Sequence, residues 1–256
     1  MLQQEITSGL PLRAEKISIG PFDLNALTER DAISEIRAAI VMRRRMNVAI
    51  CNAHTLLTAF DDQTYADVLQ KMTLLNDGIG VNIANMVLNG RRFPANLNGT
   101  DFVPQLLKEI GIPLRIYLLG ARSEQLDGAA AAIAADYPLH KVVGKRNGYF
   151  DAVDIETICA DISAAKPDLL LVAMGNPRQE RFIMEHQDKL HVTVAIGVGA
   201  LFDFMSGSVV RAPRILQFAG LEWLFRFAQE PRRLFRRYVV GIPRFLYRVW
   251  RLKRDA

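Results

Sequence analysis

The sequence predicts an α/β fold, a parallel sheet flanked by helices, with a basic helical C-terminal appendage. Three observations predict it. Short apolar runs that do not alternate, such as Asp-Leu-Leu-Leu-Val-Ala-Met over 168–174, read as strands buried on both faces. Segments of helical length separate these runs, the order that yields a parallel sheet. After Gly207 the composition turns to arginine and aromatic residues broken by Pro213, Pro231 and Pro243. Of the 256 residues 50% are hydrophobic, enough for one sizeable body plus an appendage. The expected boundary divides a catalytic body over 1–205 from an appendage over 206–256.

Taken in order, 16–19 reads as a short strand. Thr28 suits a helix N-cap, with Glu29 and Asp31 favouring the first turn of a helix through Arg44. An apolar strand over 47–51 precedes one long helix over 54–72. A strand over 73–75 runs into Asn76-Asp77-Gly78, and a helix follows to about Leu88. Asn, Pro and Gly make 91–100 a loop. The pattern then repeats: helix 102–110, strand 114–119, Ala-rich helix 123–136, strand 141–143, helix 151–165 and strand 168–174. Pro177 opens a further helix, a residue suited to a first turn. A strand over 192–198 completes the sheet, and amphipathic helices are expected over 211–250.

The net charge of +5 resides in the tail. From 221 to 256 ten Lys/Arg face three acids, a surplus of seven, so the rest of the chain carries −2. Such a tail seeks phosphate, whether on a nucleic acid, an anionic lipid or a substrate. Two cysteines, Cys51 and Cys159, are too few for a disulfide scaffold and fit a reducing compartment. No signal-peptide pattern and no apolar run of spanning length is visible, so the expectation is a cytoplasmic protein that can still lie on a membrane.

Ligands of parallel α/β sheets bind at the carboxyl ends of strands, so the loops there carry the candidates. Asp77 is either a carboxylate able to take a proton from an attacking hydroxyl or a turn residue and N-cap. Gly175-Asn176-Pro177-Arg178-Gln179-Glu180 either cradles a phosphate at a helix start or is an ordinary connection. Gly197-Val198-Gly199 and Leu118-Leu119-Gly120 are glycine-bearing loops without the dinucleotide fingerprint. Arg226, Arg233 and Arg236 share a face on a continuous helix, which suits either a diphosphate grip or a solvated charged surface. Interleaved Trp223, Phe225, Phe235, Tyr238 and Trp250 suit a membrane-surface helix set or packing against a partner helix. No Asp-x-Asp, no metal-ligand histidine spacing, no P-loop and no Gly-x-Ser-x-Gly occurs, which argues against kinases, metalloproteases and serine hydrolases.

In their order, these motifs resemble the WecG/TagA/CpsF family of bacterial glycosyltransferases over 17–250. The carrying segments are Cys51-Asn52-Ala53, Asn76-Asp77-Gly78-Ile79, Gly99-Thr100-Asp101, Ala173-Met174-Gly175-Asn176-Pro177-Arg178-Gln179-Glu180, and Gly197-Val198-Gly199 with Phe202-Asp203. Gly207 with Arg211-Ala212-Pro213, Leu221-Glu222-Trp223-Leu224 with Arg226, and Glu230-Pro231-Arg232-Arg233 follow. The resemblance implies a Rossmann-like core and an appendage docked on the inner face of the cytoplasmic membrane. It implies inverting transfer from a UDP-sugar to an undecaprenyl-diphosphate-linked sugar, with no cofactor, no essential metal and no nucleic-acid partner. A homo-oligomer stays open.

Carried over by position, Asp77 is the base. Asn52, Gln179 and Asp203 hold the donor, and Arg226, Arg233 and Arg236 meet a diphosphate. Gly120 and Gly175 join the substrate-binding candidates. Two departures stand out. Ile50 occupies a position where the family often has Thr, and Asn96 one where it often has Arg, with Arg91 or Arg92 as candidate stand-ins. Both weaken the transfer of N-acetylmannosamine specificity and suit an exopolysaccharide branch with glucose as a candidate donor, so the expected donated sugar is a hexose or an N-acetylhexosamine. The rival reading, argued from the basic tail alone, is a non-catalytic α/β protein that binds membrane or nucleic acid.

Overall fold

The computed structural model describes residues 15–210, 222–229, 231 and 235–255. Eight strands form one sheet in the order β1-β2-β4-β3-β8-β7-β5-β6. The strands are β1 (Lys16–Ile19), β2 (Phe22–Asn25), β3 (Met46–Cys51), β4 (Thr73–Asn76), β5 (Arg115–Gly120), β6 (Lys141–Arg146), β7 (Leu169–Ala173) and β8 (Val194–Gly197). Only β1 and β2 pair antiparallel; every other pairing in the sheet is parallel. The α/β architecture read from the sequence is therefore the observed one.

The central strands are apolar throughout because each face of the sheet has its own core. Ala49 and Cys51 of β3 and Leu170 and Val172 of β7 point to one side, where α2 (Ala53–Asp61), α3 (Gln63–Gln70), α4 (Gly78–Asn89), α7 (Ile155–Ala165) and α8 (Arg178–Leu190) pack. Val48, Ile50, Leu169 and Leu171 point to the other, against α1 (Glu29–Val41), α5 (Gly99–Glu109), α6 (Ser123–Asp136) and α9 (Leu201–Met205). Successive strand residues take opposite faces, so a strand covered on both must be hydrophobic at every position.

Three elements differ from the expectation. Strand β2 is additional: Phe22 and Leu24 are buried while Asp23 is exposed, an alternation too brief to stand out in the sequence. The helix expected over 54–72 is two helices. Asp62 adopts an extended conformation (φ −132°, ψ 99°) and caps α3 by accepting from the Tyr65 N–H at 3.1 Å. The apolar period continues through Tyr65 and Leu69, which hides the break. Helix α1 ends at Val41 rather than Arg44, because Arg43 turns left-handed (φ 52°). Its start is as read: Thr28 Oγ1 accepts from the Asp31 N–H while Asp31 returns a bond to the Thr28 N–H, a capping box.

Beyond the sheet, helix Glu222–Gln229, a π-helical turn Arg236–Gly241 and a C-terminal helix Ile242–Arg254 are described. The C-terminal helix packs on α4 and α2. Its Phe245 and Val249 are fully buried in the same core as Ile17 and Phe22. Arg244 and Arg248 reach Asp61 at 3.2 and 3.4 Å. Among the described residues no helix is long and apolar enough to cross a membrane.

Candidate active site

A cleft of about 1680 Å³ opens over the carboxyl ends of the strands. The sheet order explains its location. The chain leaves β3 and β7 towards the face that carries α2 and α8, but leaves β8 and β5 towards the face that carries α9 and α6. Where neighbouring strands send their helices to opposite faces, a crevice forms at their ends. Asn52, Asp77, Gly175, Gln179, Asp203 and Arg236 all line it. Gly120 stands behind the wall, and its neighbours Ala121 and Arg122 line the cleft. A second cavity of about 380 Å³, lined by Asp23, Asn25, Met72 and Thr73, lies at the amino end of β4 and touches none of these residues.

On one side of the cleft β3 and β4 end in register, Cys51 opposite Asn76. The next residues, Asn52 and Asp77, are therefore neighbours. Asn52 caps α2, its Oδ1 accepting from the N–H groups of His54 and Thr55 at 3.0 and 3.1 Å. That fixes the amide orientation, so Nδ2 points outward and donates to Asp77 Oδ2 at 3.2 Å. Asp77 stands at the cap position of α4 in an extended conformation, yet its carboxylate makes no bond to that helix's own N–H groups. Instead the Gly78 N–H is taken by Asn96 Oδ1 at 2.7 Å, and Asn76 Nδ2 holds the same loop through the Ala95 carbonyl at 2.7 Å. The Asp77 carboxylate is thus half-buried, oriented by an amide and turned into the cleft. Behind it, burial and then the Glu180 and Asp77 carboxylates push the Cys51 thiol well above its ordinary range, so Cys51 is no nucleophile.

Across the crevice the polar groups are used differently. Gln179 is 1% exposed. Its Oε1 accepts from the Gly175 N–H at 3.2 Å and the Gly199 N–H at 3.1 Å, stapling the loops after β7 and β8 together. Its Nε2 donates to Glu180 Oε1 at 2.7 Å. A side chain on Gly197 would put Cβ only 2.7 Å from that Nε2, so the staple requires glycine there. Glu180 also accepts from Asn176 Nδ2 at 2.6 Å and from the Tyr65 hydroxyl at 3.0 Å. Burial raises its carboxyl above the ordinary value despite these three donors, and it raises the Tyr65 hydroxyl as well. Gly120, with φ +130°, lets β5 run against β7: a Cβ would lie 2.3 Å from the Ala173 carbonyl oxygen.

The remaining sequence candidates divide. Asp203 is half-buried on α9 at the cleft edge, and its carbonyl accepts from the Val209 N–H at 3.1 Å. Arg236 lines the cleft from the π-helical turn and is joined there by Arg237 and Arg244. Arg226 belongs to helix Glu222–Gln229, but its side chain, like all of Arg233, lies outside the described residues. Of the two stand-in arginines, Arg92 lines the cleft, whereas Arg91 pairs Glu15 at 2.6 Å. The sequence reading missed one pair. Arg122 sits 5.9 Å from the centroid of the Tyr149 ring, Tyr149 is 68% exposed, and both line the cleft. The signal was the Asn147-Gly148-Tyr149 turn after β6, a strand-end loop with a glycine beside an aromatic residue. His54 also faces the cleft; burial and then the Arg237 guanidinium lower its imidazole below the ordinary value, keeping it neutral. Among the described residues no three His, Cys, Asp or Glu side chains are grouped as a metal site would need.

A family model described as glycosyl transferase WecG/TagA/CpsF family matches residues 17–256. Over 200 residues the chain is 33% identical to an N-acetylglucosaminyldiphosphoundecaprenol N-acetyl-beta-D-mannosaminyltransferase of Bacillus subtilis (strain 168), covering 77% of this chain and 76% of that protein. A Staphylococcus aureus (strain MW2) protein of the same name is 28% identical over 243 residues, covering 93% and 94%. The protein of that name from strain NCTC 8325 / PS 47 has the same identity and coverage.

Proposed function

The chain belongs to the WecG/TagA/CpsF family of glycosyl transferases, and we propose that it moves a sugar from a UDP-sugar to a sugar carried on undecaprenyl diphosphate. The observation that carries this reading is the Asn52–Asp77 pair. An oriented carboxylate opens into a cleft that also holds guanidinium groups. The names of the relatives support a lipid-linked acceptor.

The reaction is a single in-line displacement with inversion. The acceptor hydroxyl attacks the anomeric carbon, and the bond from that carbon to the diphosphate oxygen breaks. Asp77 takes the hydroxyl proton, and UDP leaves with the bonding electron pair. Its growing charge is met by Arg236 and Arg237. Protein cations in that role supply what a divalent ion supplies elsewhere, so the reaction is metal-independent. Tyr149, with Arg122 beside it, offers a flat exposed ring on which the uracil stacks, and Asp203 binds the nucleoside part. Ile50 and Asn96 line the cleft where the family often has Thr and Arg. The donated sugar is a hexose or an N-acetylhexosamine, in the synthesis of a bacterial surface polysaccharide or exopolysaccharide. The basic aromatic tail holds the enzyme on the inner face of the cytoplasmic membrane.

The test is a panel of UDP-sugars offered with a short-chain lipid-diphosphate sugar. UDP release that depends on the acceptor, with one UDP-hexose or UDP-N-acetylhexosamine preferred, is the expected result. If no UDP-sugar is turned over and UDP neither binds nor raises the melting temperature, the reading fails.

A further inference from the structure

The wall of the cleft beside Asp77 is apolar and wet. Ile79, Ile83 and Met86 follow one another at spacings of four and three residues on α4, so they share one face. They are 51%, 38% and 43% exposed. All three line the same cleft as Asp77. At the rise of a helix the stripe runs for about 10 Å, starting in the turn next to the carboxylate. Val240, 53% exposed, faces the same cleft from the turn Arg236–Gly241. That turn also carries Arg236 and Arg237. Single exposed apolar residues are ordinary, but an aligned group beside a reactive carboxylate marks a binding surface.

We propose that the outer end of this face, Ile83 and Met86 of α4, receives the first isoprene units of the acceptor's polyprenyl chain. This rests on the reading of the chain as a lipid-acceptor transferase. The neighbourhood selects the occupant. The stripe lines a cleft, so a flat bilayer or a second folded chain would have to close the mouth over Asp77 to cover it. A single flexible hydrocarbon chain covers it and leaves the mouth open. A molecule with hydroxyls at one end and a hydrocarbon at the other matches a wall on which a carboxylate adjoins an apolar surface. The stripe thereby sets the reach of the acceptor: its length fixes how far the diphosphate stands from the membrane when the sugar meets Asp77.

The experiment compares wild type with the double variant Ile83→Ser/Met86→Gln on two acceptors in the same detergent. One acceptor carries a polyprenyl chain and the other a butyl chain on the diphosphate. Both side chains are exposed, so the variant melts at the wild-type temperature. The expected result is about a tenfold higher KM for the polyprenyl acceptor. The KM for the UDP-sugar and the rate with the butyl acceptor stay unchanged. An unchanged polyprenyl KM, or an equal loss on both acceptors, overturns the proposal. So does a wild-type dimer that the variant breaks in sedimentation, which would make the stripe an interface between copies. Wild type inactive on both acceptors overturns the transferase reading as well, whereas active wild type with an indifferent variant overturns the stripe alone.

Discussion

Asp77 and Glu180 are both carboxylates at the first residues of helices that leave the sheet, α4 after β4 and α8 after β7. Their surroundings are opposite. Glu180 is fully buried and receives hydrogen bonds from Asn176, Gln179 and Tyr65. Asp77 is half-buried at the cleft surface, receives the Asn52 amide, and leaves the N–H groups of its own helix to others. The difference separates framework from chemistry. A carboxylate surrounded by buried donors holds loops in register, and moving it costs every one of those bonds. A carboxylate oriented by an amide and open to a cleft can accept a proton at the site of reaction.

The largest expected effect tests the chemical side. Asp77→Asn keeps an oxygen for the Asn52 amide and removes the base, so transfer falls by about 10²–10⁴-fold while the melting curve stays in place. Steady-state assays with purified variant decide it, and turnover close to wild type would erase the distinction between the two residues. Next in size is the framework side. Glu180→Leu leaves the Asn176, Gln179 and Tyr65 donors buried without an acceptor, a loss of about 3 kcal/mol. Urea unfolding measures it, and a wild-type midpoint would show that the network carries no stability.

The smallest effect has a sign that pH controls. Burial raises the Glu180 carboxyl above its ordinary 4.5 in the folded protein. The folded state therefore holds this proton more tightly than the unfolded chain, and stability is lost as pH rises from 4.5 through the folded value. Glu180→Gln keeps an acceptor for Asn176 and Gln179 without that loss. The variant is then more stable than wild type at neutral pH, and the advantage shrinks to nothing as pH falls below 4.5. Thermal melts across this range check it, and an advantage that grows on acidification would contradict the cause assigned.

Sequence reasoning went furthest where one physical rule governs a whole segment. Strands β5 and β7 are apolar at consecutive positions because both faces are covered, and that pattern is visible without neighbours. The strand-end rule then found Asn52, Asp77 and Gln179. What escaped depends on contacts between distant segments. The β1–β2 hairpin is a pairing of two four-residue strands. Tyr149 meets Arg122 only because β5 and β6 are neighbours. Glu180 at a helix start reads as a solvated residue, and its burial follows from Tyr65 on α3, 115 positions away in the chain. Gln179 was found for its place in a motif, whereas its job as a staple between Gly175 and Gly199 needs the fold.

The burial of Phe245 and Val249 among Ile17, Phe22 and the α2–α4 side of the sheet has a consequence for biosynthesis. Chains fold from the N-terminus as they are made. Strands β1 to β4, which lead into Asn52 and Asp77, are synthesised before the rest of the sheet, yet the hydrophobic face behind them is sealed by Phe245 and Val249, translated after it. Until residue 249 has emerged, that face stays open to water and α4, the wall beside Asp77, lacks its support. A nascent chain on the ribosome therefore carries the carboxylate but not the finished cleft until helix Ile242–Arg254 has emerged.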